Sequence, residues 1–119
     1  MANISENLAK LMEIDGAVGV SLVDSNSGMV LGAAGGGVDM ELAAAGNSEV
    51  VKAKMKTMKS LGIKGEIEDI LITLETQYHI LRPMIKQKGL FLYIVLDKAK
   101  ANLALARRNV QNIESSLEV

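Results

Sequence analysis

The run LFLYIVLD, residues 90–97, restricts the fold more than any other stretch of the chain. Side chains alternate between the two faces of a strand, which sets Leu90, Leu92, Ile94 and Leu96 against Phe91, Tyr93 and Val95. Both sets are apolar, so neither can face water, and the strand belongs in the middle of a sheet covered on both sides. A chain of 119 residues, 49% of them apolar, is about one domain in size, spanning 1–119, and can bury such a core. Helices have to supply both covers.

The sequence offers three. Asn3 followed by Glu6 has the form of a capping box, and Ile4, Leu8 and Leu11 then recur at helical spacing. Asp39 is placed to cap a second helix running to about Ser60, with Met40, Ala44, Asn47, Val51, Met55 and Met58 along one side and Gly62 at its end. Asp97 is placed to cap the last helix, whose stripe is Ala99, Leu103, Ala106, Val110, Ile113 and Leu117. Between them lie the strand-like runs AVGVSLVD and MVLGAAG, joined by SNSG, and a meander of EIEDILITLE, QYHILRPMI and LFLYIVLD. The expected fold is an α+β sandwich of order α-β-β-α-β-β-β-α. A five-stranded antiparallel sheet carries the second helix as a crossover on one face and the first and last helices on the other.

Charge and composition remove several functions. Thirteen basic and 14 acidic side chains leave a net charge of −1, so no global field draws the chain to nucleic acid or to an anionic membrane. Without cysteine there is no thiolate nucleophile and no cysteine-based metal site, and one histidine makes a zinc site improbable. No cofactor is expected. The start, MANISENLAKLMEIDG, lacks a basic flank followed by an apolar run, and no stretch approaches a membrane span. A cytoplasmic protein with no membrane insertion is the expectation.

His79, in ETQYHILRPM, stands beside Tyr78 and near Arg82, which could suggest a base, an acid and an oxyanion clamp. The pleat separates them: Tyr78 and Ile80 point one way, His79 and Leu81 the other. A packed or hydrogen-bonded histidine is the better reading. GAAGGGVDME places glycines before a helix, as a phosphate cradle would, but it lacks a P-loop lysine and hydroxyl. Asp39 and Glu41 also already answer the positive helix end, so it is read as a turn.

Two features point to protein partners. Lys52, Lys56 and Lys59 share a face of the second helix, with Lys54 and Lys64 nearby; this is either a solvated face or a docking surface for an acidic protein. With only three aromatic residues in the chain, nucleic acid is the poorer match. If LFLYIVLD is central, EIEDILITL sits at an edge that Ile70, Leu71, Ile72 and Leu74 make apolar and apt to pair, while AAAG at 43–46 lets another backbone approach. An identical strand paired across a twofold axis would extend the sheet and bring two crossover helices together. The expected homodimer interface is Ala43, Ala44, Asn47 and Val51 from the helix and Ile67, Asp69, Ile70, Leu71 and Ile72 from the strand.

The order of elements, the run ELAAAGNSEVVKAKMKTM, and above all EDILITLETQYHILRP followed by GLFLYIVLDKAKANLALARR, resemble the roadblock/LC7 family. The resemblance extends from about Ile4 to Leu117. It implies the same profilin-like sandwich, dimerisation through the third strand and second helix, and no metabolic active site. The short form is similar to prokaryotic stand-alone members that partner Ras-like small GTPases, some of which accelerate GTP hydrolysis. The paired second helices of such dimers face the GTPase, which carries over to Glu49, Lys52, Lys56 and Lys59. An arginine finger, worth roughly 10³ to 10⁵ in rate, has no good candidate: Arg82 adjoins Pro83, and Arg107 and Arg108 lie on the last helix. The alternative is a small-molecule sensor with a void near Tyr78, His79 and Met84, or a purely structural adaptor.

Overall fold

The computed structural model describes residues 3–119. Its elements are α1 (Ile4–Met12), β1 (Ala17–Asp24), β2 (Met29–Gly35), α2 (Met40–Leu61), β3 (Ile70–Thr73), β4 (Gln77–Pro83), β5 (Leu90–Asp97) and α3 (Leu103–Ser116). The strands form one antiparallel sheet in the order β2-β1-β5-β4-β3. The doubly apolar strand is therefore central, and Phe91 through Leu96 are all buried.

Each face of β5 has its own core. Leu92, Ile94 and Leu96 pack with Leu8 and Leu11 of α1 and Ala106 and Val110 of α3, whereas Phe91, Tyr93 and Val95 pack with Ala44 and Val51 of α2. The α+β sandwich, with one helix on one face and two on the other, is the architecture that the apolar alternation requires.

Four local expectations need correction. The Asn3 side chain does not cap α1. Its Nδ2 donates to the Ser116 carbonyl at 3.0 Å and its Oδ1 accepts from the Glu118 N–H at 2.7 Å, so it ties the start of the chain to the end of α3. Asp97 makes a local turn instead of a helix cap, accepting from the Ala99 N–H at 3.0 Å; α3 starts later, where Asn102 accepts from the Leu105 N–H at 3.1 Å. That turn seats Ala101 on Gly16, where a Cβ would lie 2.9 Å from the Ala101 nitrogen.

The third strand pairs over four residues only. Arg107 on α3 grips Asp69 with two hydrogen bonds of 2.8 Å, and Lys88 holds Glu66, so the chain before Ile70 is tied to α3 and to the β4–β5 turn instead of running along β4. The core stripe of α2 also stops early. Asp39 caps the helix through the Leu42 N–H and Gly62 closes it in the left-handed conformation, as expected, but Met55 is 43% exposed. From Lys52 to Leu61 only Met58 is even half-buried.

Candidate interaction surface

The edge of the sheet at β3 and the adjoining side of α2 form the surface that most invites a partner. β3 hydrogen-bonds to β4 on one side and is the last strand on the other, which leaves backbone donors and acceptors on a short apolar edge. Ile70 and Ile72 pack towards α2, and Leu71 towards the core under α1 and α3.

The flanks of α2 have different surroundings. At 3.6 residues per turn, Ala43, Asn47, Val50, Lys54 and Leu61 share one flank, and Lys52, Lys56 and Lys59 the other. Asn47 hydrogen-bonds to the Tyr93 hydroxyl. Tyr93 reaches His79 Nδ1 at 3.0 Å, and His79 pairs with Ile72 of β3, so the first flank faces the edge strand. On the other flank Lys52 lines a cleft with Ser25 and Asn26 of the β1–β2 turn and Lys88 of the β4–β5 turn.

The residues expected at a dimer interface divide accordingly. Ala44 and Val51 are 0% and 1% exposed and belong to the chain's own core, which removes them from any surface. Ala43 and Asn47 are half-buried at its rim, as are Ile67, Asp69, Ile70, Leu71 and Ile72 at the edge, with Asp69 already engaged by Arg107. Outward-facing apolar side chains that a search for core stripes passes over complete the surface: Val50, Ile63 and Leu61, the last 66% exposed. The helical spacing that sets Val50 and Leu61 on the flank of Ala43 and Asn47 was the signal available for those two, and Ile63 follows just past the end of α2.

Glu49, Lys52, Lys56 and Lys59 are all exposed. Glu49 pairs with Lys52 at 3.2 Å, an exposed contact of little energetic weight. Lys56 and Lys59 have no ion-pair partner among the described residues, so both charges are free to meet an acidic surface.

The histidine is held on both ring nitrogens. Gln77 Oε1 lies 2.9 Å from Nε2 and accepts its proton, which leaves Nδ1 to accept from the Tyr93 hydroxyl; the two rings meet edge to face at 5.4 Å. Burial lowers the His79 pKa below its ordinary 6.5 and raises that of Tyr93. Tyr78 lies on the opposite face under Lys98, as the pleat requires. The cleft that reaches Met84 is not lined by His79 or Tyr78. Arg82 is buried and pairs with buried Glu114, so it cannot reach a partner's phosphate. Among the described residues no three acidic or histidine side chains gather as metal ligands, and no helix is long and apolar enough to cross a membrane.

Comparison with known proteins places this geometry. No protein-family model matches the chain, and no curated protein sequence does so either. Among solved structures, MglB of Myxococcus xanthus superposes with a TM-score of 0.82 at 20% identity, covering 94% of this chain and 89% of that one. A roadblock/LC7 domain from Streptomyces avermitilis gives 0.83 at 14% identity, covering 97% and 94%. The gliding protein MglB of Thermus thermophilus gives 0.82 at 18% identity, covering 96% and 84%. The chain has the roadblock/LC7 fold, which its sequence already resembles.

Proposed function

We propose that this chain is a single-domain, non-enzymatic homodimeric regulatory or scaffold protein that binds a Ras-like small GTPase, with stimulation of GTP hydrolysis as a further property to be tested. The observation that carries the proposal is the pairing of an uncovered apolar edge, Ile70 to Ile72, with a long helix whose outward side is small or apolar on one flank and lysine-rich on the other. Two copies paired at β3 would bury the first flank and present the lysines of both α2 helices. The likeness to MglB structures, one of them described with a tetrameric arrangement, supports an assembling protein. The resemblance of the sequence to prokaryotic GTPase partners supports the choice of ligand. With Arg82 and Arg107 both engaged in ion pairs, and Arg108 on α3 across the sheet from α2, any stimulation would come from repositioning the GTPase's own groups. A cytoplasmic location fits such a partner.

Sedimentation equilibrium tests the dimer. Wild type is expected at twice the chain mass, and Ile70→Lys, which sets a charge on the apolar edge, at one chain mass or insoluble. A dimer unaffected by the substitution would place the interface elsewhere.

A further inference from the structure

From Lys52 to Leu61 only Met58 of α2 is even half-buried, and Val51, Lys52 and Met55 line a cleft of about 410 Å³, within the range of roughly 300–1,000 Å³ usual for small-molecule sites. Its floor is apolar, made by Val51, Pro83, Met84 and Leu90, and its rim carries Lys52, Lys88, Asn26 and Glu66. Lys52, on the lysine flank of α2, lines it, and none of the edge residues Ile70, Leu71 and Ile72 does.

The rim already receives a carboxylate. Glu66 Oε1 lies 2.6 Å from Lys88 Nζ, although both side chains are more than half exposed. Glu66 is carried on residues 62–69, where Gly62 and Gly65 both take positive φ, and where four β3-ward residues are off the ladder. A carboxylate that an exposed loop side chain contributes can exchange for one from solution. Lys52 adds a second ammonium at the same mouth.

We propose that this cleft binds a small acid with an apolar body, such as a medium-chain fatty acid, its carboxylate replacing Glu66 on Lys88 and its chain lying over Met84 and Leu90. The ligand would fill the cleft that α2 lines and so support the half of the helix that carries Lys56 and Lys59. The site stands on its own geometry and does not depend on the GTPase reading.

Titration of the full chain with octanoate, followed by amide chemical shifts, tests it. Saturable shifts are expected around Val51, Met84 and Gly89. Lys88→Gln should weaken binding about tenfold, the loss of one charge-assisted hydrogen bond. Glu66→Gln should tighten it, because the internal competitor is gone. Acetate, lacking the body, and octanol, lacking the charge, should both bind more weakly than octanoate. Absence of saturation, equal affinity in Lys88→Gln, weaker binding in Glu66→Gln, or octanol binding as tightly as octanoate would each overturn the proposal.

Discussion

Arg82 and Glu114 face each other at 3.1 Å with side chains 7% and 5% exposed, joining β4 to α3 across 32 positions of sequence. Breaking a buried pair strands one charge, a loss of several kcal/mol, whereas replacing both partners by apolar residues is often neutral. Arg82→Met alone is expected to cost about 3 kcal/mol in urea unfolding, and the Arg82→Met, Glu114→Leu double variant to regain most of it. His79 makes a second prediction. Its folded pKa lies below the unfolded value of 6.5, so the unfolded chain binds the proton more readily, and stability rises with pH through the window between the two values. Acidification from pH 7 should therefore lower the urea midpoint from about 6.5 downwards, and His79→Gln should flatten that part of the profile. A wild-type profile no steeper than the variant's would contradict the assignment.

At the scale of elements, what could be read in the sequence is what depends on local periodicity. β1, β2 and β5 fall where the alternation of AVGVSLVD, MVLGAAG and LFLYIVLD sets them, and α2 starts and stops at Asp39 and Gly62 because capping acts within a few residues. The start of α3 and the length of β3 were not legible. Both depend on contacts distant in sequence, Gly16 against Ala101 and Arg107 against Asp69, which no window on the chain contains. The same holds for the cleft, whose walls come from three turns and a helix. The lysines of α2 could be found by their spacing, but their separation from the β3 flank needed the Asn47–Tyr93–His79 chain. Close packing of the β2–α2 connection and the start of α2 over β1 yields a prediction here: a Cβ at Gly19 would meet the Gly36 carbonyl oxygen at 2.6 Å and Met40 Cε at 2.7 Å. Met40 can turn aside and the backbone oxygen cannot, so Gly19→Ala should cost roughly 1–3 kcal/mol in the same unfolding assay.

For the whole molecule, a net charge of −1 sets the lysines of α2 against a nearly neutral background. Attraction to an acidic partner would then be local, and weakened by salt over a Debye length of about 8–10 Å. The central claim is that α2 presents those lysines to a small GTPase. It is tested most directly by capture from soluble extract of the source organism, with GTP analogue or GDP added, using wild type and the Lys52→Glu, Lys56→Glu variant, and identifying bound proteins by mass spectrometry. The account predicts a Ras-like GTPase held by wild type, preferentially in one nucleotide state, and lost from the variant. Capture of no GTPase in either state, from an extract shown to contain one, or equal capture by the variant, would contradict it.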